Sequence, residues 1–398
     1  LLLAVLATIT GACKDYCGSE KGPNYPEGTG PVVRGPQLAL VTQTSVLIAW
    51  ITAAPTSGEV EYGTDPELGS KASGSPASQE HTITLDGLLP GTLYHYRVLA
   101  DGEVASDNHT FKTAPADASA PWSFAVLADM GDGGRDQRLV AAQVLAANPD
   151  LVVVPGDVVY DCGRVADLDP HFFVPYAALL DHIPFYPVLG NHDVKTKGGK
   201  PLLDALYLPV NDQDGTERFY SFDYANVHFA GLNSNADMPP DSDQAIWLER
   251  DLAASPAVWK LVYFHHPLFS SSSHGSNLKL RQELEPLLDR HHVDLVLNGH
   301  DHDYERSFPL REAEVVDAAQ EPDYLDPQGA VYVVTGGGGK DLYGKGKSYF
   351  TAQSESVHHF TRLEVNGFHL TLTAFRMDGS LLDHMTITKM PPAPPSRS

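Results

Sequence analysis

Leu151-Val152-Val153-Val154-Pro155-Gly156-Asp157-Val158-Val159-Tyr160 decides how this chain folds. Four consecutive branched apolar residues closed by Pro-Gly make a strand buried on both faces, as strands are inside α/β layers. An acid and a phenol follow at once. The same design recurs on either side. Residues 124–128 run into Asp129-Met130-Gly131, and 185–189 into Gly190-Asn191-His192-Asp193. Residues 261–264 run into His265, and 295–297 into Asn298-Gly299-His300-Asp301-His302. Helical periodicity over 136–147, 172–181, 243–254 and 280–291 alternates with these strands. Open α/β sheets bind ligands outside the carboxyl ends of their strands. Five strands therefore bring acids, an amide and imidazoles to one edge. Downstream, 219–222 and 227–232 predict a hairpin around Ala225-Asn226, and 331–334, 360–365, 370–375 and 384–388 predict further strands. The pattern is α/β early and β-rich late, which predicts two sheets layered with helices.

Upstream the texture is different. Val46-Leu47-Ile48-Ala49-Trp50-Ile51 is a buried strand, and short strands at 58–62, 81–85, 92–100 and 108–112 follow at the spacing of a β-sandwich. Leu88-Leu89-Pro90-Gly91-Thr92-Leu93-Tyr94-His95-Tyr96-Arg97-Val98 resembles the tyrosine-corner region of fibronectin type III domains, with Trp50 as the core tryptophan. Both aromatics read as packing, and no chemistry is assigned to this part. The expected organisation is a signal or lipobox segment at 1–13, a Gly/Pro-rich tether at 14–34, a fibronectin III-like domain at 35–114, a Pro/Ala linker, and a catalytic domain at 121–390.

Composition narrows the function. The formal net charge of −24 in 398 residues repels nucleic acid, which excludes a DNA- or RNA-binding role. Capture of an anionic substrate by such a chain requires bound cations that invert the field locally. The apolar run at 1–12 is shorter than the ~20 residues that span a bilayer and reads as the core of an export signal. Small residues directly before Cys13 resemble a lipobox, which would give a lipid anchor at Cys13 as the membrane attachment. An ordinary cleaved signal, with Cys13 paired to Cys17, is the other reading. Either one predicts an exported protein: extracellular, periplasmic or anchored at a bacterial cell surface. Cys162 has no evident partner and is expected to be a buried thiol.

The polar strand ends suit two cations. Carboxylates, imidazoles and an amide oxygen are hard and borderline donors, and one carboxylate can bridge two ions. Two ions ~3.5–4 Å apart clamp the attacking and leaving oxygens of a displacement at phosphorus. Singly, each piece has a plainer reading. An Asp after a strand caps a helix, Gly-Asn-His makes a turn, and His-x-His makes a mononuclear site or polar surface.

Taken in order, Asp129-x-Gly131, Gly156-Asp157-x-x-Tyr160, Gly190-Asn191-His192-Asp193, Val262-x-x-His265 and Gly299-His300-x-His302 resemble the five motifs of calcineurin-like metallophosphoesterases. Tyr160 and the trailing Tyr304-Glu305-Arg306 narrow the resemblance to purple acid phosphatases, whose fibronectin-like domain also precedes the catalytic one. The resemblance covers 35–388. It implies a four-layer, two-sheet α/β metallophosphoesterase fold preceded by an all-β sandwich. It also implies hydrolysis of small phosphate monoesters by in-line attack of a metal-bound hydroxide. Asp129, Asp157, Tyr160 and His302 would hold Fe(III), with Asp157 bridging to a second ion held by Asn191, His265 and His300 (Zn, Mn or Fe(II)). His192, with Asp193 orienting its imidazole, and His274 in the Ser-rich stretch 270–273 would meet the phosphate. His266 departs from the small residue the family often has there and is given no role. His228, His358 and His359 read as structural.

Gly336-Gly337-Gly338-Gly339-Lys340-Asp341 fails the Walker pattern, because Val334 and Asp341 stand where Gly and Ser/Thr are needed. It is expected to be a flexible loop near the site. The acidic stretch 311–328 is expected to be a lid over the substrate. Two other functions fit parts of the sequence. A phosphodiesterase or nucleotide hydrolase on the same metals is one, and Tyr160 argues against its divalent-only branches. A surface binding protein with a vestigial site is the other, and the complete ligand set argues against it.

Overall fold

A computed structural model describes residues 17, 30–74, 76–117, 119–211, 215–319 and 322–391. The Cys13 lipobox reading lies outside the described residues.

Two seven-stranded sheets make the larger part of the chain. The first runs in the order Phe185–Pro187, Leu151–Val154, Trp122–Val126, His359–Asn366, His369–Arg376, Leu381–Thr388, Asp323–Leu325. The second runs Tyr220–Tyr224, Val227–Gly231, Trp259–Tyr263, Leu295–Asn298, Val331–Thr335, Tyr304–Ser307, Thr351–Glu355. Leu151–Val154 pairs in parallel with strands on both sides, Leu151 opposite Phe124 and Val152 opposite Phe185. Alternation within the second sheet sorts its side chains. Leu261, Tyr263, Leu295, Leu297, Val331 and Val333 face the first sheet across one core. Val262, Val296 and Tyr332 face a second core with Leu248, Leu252, Leu284 and Leu288. Those leucines come from helices Asp243–Ala254 and Leu278–Arg290. Helix Arg135–Ala147 buries Val140 and Val144 against the first sheet. The result is helix, sheet, sheet, helix. Aromatic rings fill the space between the sheets, with Phe124 edge-on to Phe229 at 5.2 Å and Tyr186 stacked on Phe222 at 4.0 Å.

The helix expected over 172–181 is broken. The chain forms short turns at Val165–Leu168, Asp169–Phe173 and Ala177–Leu180. Pro175 lacks the N–H that a helix interior needs there. The hairpin forms as expected, with Tyr224 opposite Val227.

The N-terminal part pairs Val32–Ala39, Ser45–Thr56 and Ser78–Asp86 in one sheet. Ser70–Ser73, Gly58–Gly63 and Leu93–Ala100 form the other, and Glu103–Val104 and His109–Lys112 both pair with Leu93–Ala100. Its first strand begins within the expected tether. Trp50 is buried and stacks on His81 at 4.9 Å. The Tyr94 hydroxyl accepts the Leu89 N–H at 2.9 Å, closing the corner. Arg34 joins this part to Asp169 through two bonds of 2.6 and 2.7 Å.

Two cysteine expectations are overturned. Cys162 is bonded to Cys17, with Cα atoms 5.7 Å apart across a sequence separation of 145. It is not a free thiol, and Cys17 is not the partner of Cys13. A partner so distant in sequence leaves no local signal. Closing so long a loop restricts the unfolded chain strongly. Cys162→Ser is therefore expected to cost about 2–5 kcal/mol of unfolding free energy, read from urea melts run without reductant.

The described residues of 311–328 do not form a lid. Leu310–Arg311 and Glu314–Val315 form a small hairpin. The Glu312 and Ala313 N–H groups bond Asp289 and Glu285 of helix Leu278–Arg290. Leu310 bridges to Ala330, just before the strand Val331–Thr335 starts. This is the end of the sheet where the parallel strands begin, opposite the end that carries His300.

Candidate metal centre

Asp129, Asp157 and His300 take left-handed backbone, with φ of 55°, 50° and 73°. Such conformations cost non-glycine residues about 1–3 kcal/mol each and persist only where surrounding structure enforces them. Here each residue follows a parallel strand and turns its side chain back over the strand end. Gly190 permits one of these approaches, because a Cβ there would lie 2.2 Å from the Asp157 nitrogen.

The side chains converge on two points. At the first, the Tyr160 hydroxyl lies 2.9 Å from Asp129 Oδ1, 2.8 Å from Asp157 Oδ2 and 3.1 Å from His302 Nε2. His302 gives its Nδ1 proton to the Asp341 carbonyl at 2.6 Å. One phenolic proton thus serves three acceptors. At the second point, Asn191 Oδ1 lies 2.9 Å from both His265 Nε2 and His300 Nδ1, which are 3.2 Å apart. The Pro155 carbonyl takes the Nδ1 proton of His265 at 3.0 Å, so its Nε2 carries a lone pair. Asp157 Oδ2 lies 3.5 Å from that Nε2 and so touches both groups.

Acceptors facing acceptors in a buried site are costly unless a cation lies among them. The spacings suit one. Six-coordinate ions with bonds of about 2.1 Å place adjacent donors about 3.0 Å apart. The donor set of carboxylate, phenol, imidazole and amide oxygen fits two such ions.

Electrostatics agree. Burial raises the Asp157 pKa well above its ordinary value, and Asp129 and Asp193 raise it further. Burial holds His265 well below its usual range and pushes His300 down to about 2, so both imidazoles are neutral donors. Burial lowers His302 while Asp129 raises it, with a net rise.

His192 and His274 stand at the rim. The His192 ring packs on Tyr160, centroids 4.3 Å apart, and burial lowers its pKa to about 4. Its Nδ1 bonds the Asp161 carbonyl at 2.7 Å. Asp193 does not orient it. The Asp193 carboxylate is buried and accepts the N–H groups of Gly190, Val158 and Val159 at 2.8, 3.2 and 3.0 Å. The acid turns inward and ties two loops. His274 lies beside His300, centroids 4.2 Å apart.

A family model for calcineurin-like phosphoesterases matches residues 106–304, and one for the purple acid phosphatase N-terminal domain matches 33–113. The chain belongs to the calcineurin-like phosphoesterase family, and its N-terminal part matches the N-terminal domain of purple acid phosphatases. Purple acid phosphatase 21 of Arabidopsis thaliana is 29% identical over 70% of this chain and 65% of its own length. Purple acid phosphatase 15 of the same plant is 28% identical over 65% of this chain and 53% of its own length. The chain thus spans less than two thirds of these two relatives. Acid phosphatase type 7 of Homo sapiens is 26% identical over 87% of this chain and 88% of its own length. The solved purple acid phosphatase PPD1 of yellow lupin (Lupinus luteus) superposes with a TM-score of 0.82 at 20% identity, covering 93% of this chain and 79% of that one. That match carries the fold: a metallophosphoesterase unit behind an all-β domain.

Within this family member, some residues around the centre lack a sequence signal. Tyr343 stacks on His302 at 4.0 Å and on His274 at 5.0 Å, forming one wall. An aromatic shortly after the glycine run was the only hint. The glycines themselves are not a flexible loop. A Cβ on Gly336 would lie 2.8 Å from Asp129 Oδ2 and 2.1 Å from the Asp301 carbonyl. Gly338 bonds the Ala128 carbonyl, which packs the run against the Asp129 turn. Asp301, between the two motif histidines, accepts the N–H groups of His274 and Gly275 at 2.8 and 3.1 Å. It thereby holds the Ser-rich loop over the centre. His228 bridges Asp223 and Asp251 at 2.7 and 2.8 Å. His358 lies 3.5 Å from Asp136, and His359 bonds Thr335 at 3.1 Å.

Proposed function

We propose that this chain is an exported acid phosphatase that hydrolyses small phosphate monoesters at a two-metal centre. Asp129, Asp157, Tyr160 and His302 would hold Fe(III), and Asp157, Asn191, His265 and His300 would hold Zn, Mn or Fe(II). The observation that carries this reading is the pair of acceptor clusters sharing Asp157, with spacings of 2.8–3.2 Å around Tyr160 and Asn191. Bound ions supply Lewis acidity toward the phosphoryl group and a nucleophile at acid pH.

The chain's own residues do the rest. The Pro155 and Asp341 carbonyls fix the tautomers of His265 and His302 so that each Nε2 faces inward. Nδ1 of His192 donates to Asp161, and an arriving phosphate offsets the burial that keeps the ring neutral. His274 protonates the leaving oxygen from a loop that Asp301 pins. His274→Ala is expected to lower kcat by about 10²-fold or more while both metals stay bound, checked by steady-state kinetics beside elemental analysis. The Cys17–Cys162 disulfide favours an oxidising compartment and so supports export. A lipid at Cys13 is the proposed anchor, with mass spectrometry of the N-terminal peptide as its test.

The purified protein is expected to absorb in the visible through a tyrosinate–Fe(III) pair, and Tyr160→Phe is expected to bleach that band without unfolding the chain. A spectrum unchanged by Tyr160→Phe would remove Tyr160 from the centre. A colourless wild-type protein carrying only divalent ions would turn the assignment to a neutral-pH phosphodiesterase or phosphatase, with Tyr160 a structural residue.

A further inference from the structure

His265 and His266 are neighbours in sequence, yet both rings reach the same centre. Consecutive residues of a strand point to opposite faces. These two lie in the bend after strand Trp259–Tyr263, where the alternation has ended. His266 packs against His300 with centroids 4.6 Å apart and against His265 at 5.0 Å. One ring nitrogen from each of His265, His266 and His300 lies within 4.8 Å of the others.

The orientation of His266 is also fixed. Its Nδ1 lies 2.9 Å from the Ser234 hydroxyl, which in turn accepts the His266 backbone N–H at 3.0 Å. His265 and His302 show the same arrangement: Nδ1 held by an oxygen of the protein, Nε2 turned to the centre. Metal-binding histidines are oriented in this way by a partner on the other ring nitrogen. Among the described residues, His266 Nε2 makes no hydrogen bond.

We propose that His266 is an added nitrogen donor to the second metal position, joining Asn191, His265, His300 and Asp157 through its Nε2. This inference rests on the two-metal reading above. Its consequence concerns which ion is kept. A third imidazole favours nitrogen-preferring ions such as Zn over oxygen-preferring Mn.

The test uses the full chain, stripped with a chelator and titrated with Zn²⁺ or Mn²⁺ by calorimetry, with bound metal counted by elemental analysis. In His266→Ala, the second Zn²⁺ equivalent is expected to bind about 10–100-fold more weakly, with a smaller change for Mn²⁺ and none in the first equivalent. Ser234→Ala keeps the imidazole but frees its Nδ1 and is expected to weaken the same step to a lesser degree. It reports even if His266→Ala folds poorly. Unchanged Zn²⁺ affinity at the second step in a folded His266→Ala protein overturns the inference and leaves the two-metal reading standing. A wild-type chain that takes up no second equivalent overturns both.

Discussion

Asp157→Asn protein is expected to purify without a full metal complement, to lose at least about 10³-fold in kcat, and to melt at a higher temperature than metal-stripped wild type. The first two results follow from position. Asp157 Oδ2 lies 2.8 Å from the Tyr160 hydroxyl and 3.5 Å from His265 Nε2, so a single carboxylate serves both clusters. Losing the charge that joins two ions removes several kcal/mol of transition-state stabilisation, and about 4 kcal/mol is 10³-fold in rate. The third result follows from charge. Without metal, Asp157 is buried beside Asp129 and Asp193, and its carboxyl is held well above its ordinary pKa. A neutral amide removes that repulsion and can donate to the lone pair on His265, a gain of about 0.5–2 kcal/mol typical of relieved active sites. The pH dependence carries the same sign. Asp157 and Asp193 both have raised folded pKa values, Asp193 to about 6, so the stability they contribute is present below pH 3.8 and lost as pH rises. Stripped wild type should therefore lose stability between pH 3.8 and 6 and beyond, and Asp157→Asn should flatten part of that slope. Melting curves in chelator across this range check it. A variant that keeps both metals and most of its activity would end the two-metal reading.

The legible part of this protein is local. An apolar run of three to five residues that ends in a polar one identifies a buried strand and what it delivers. Asp129, Asp157, Asn191, His265 and His300 all announce themselves in that way, and the structure brings them together. What escaped the sequence depends on contacts between distant positions. Cys162 finds Cys17, and Asp301 finds the loop of His274, with no spacing rule to foretell either. The run at Gly336 shows the opposite failure. Glycine reads as freedom in a sequence, but here it marks the absence of room, because Asp129 and the Asp301 carbonyl already fill the space of a side chain. The stretch 311–328 misled through composition. Its acidity and irregularity suggested a cover, and its N–H groups instead dock on carboxylates of a helix far from the centre.

Asp193→Asn is expected to destabilise the protein by about 2–4 kcal/mol and to weaken both metal positions together, although Asp193 touches neither cluster. Its carboxylate is fully buried and accepts three backbone N–H groups, two from the Asp157–Tyr160 loop and one from Gly190 beside Asn191. Both oxygens act only as acceptors. An amide keeps one of them; even with its nitrogen at the Oδ1 position, it faces the Val159 N–H donor against donor, which costs about 1–3 kcal/mol besides the lost charge-assisted bond. The loops of Tyr160 and Asn191 would then shift relative to each other, and each belongs to a different metal position. The competing idea, that Asp193 works by orienting His192, makes another prediction. The two single variants would then share one kinetic phenotype, with wild-type unfolding free energy and full metal content. Urea melts and elemental analysis on Asp193→Asn and His192→Ala, measured side by side, separate these cases.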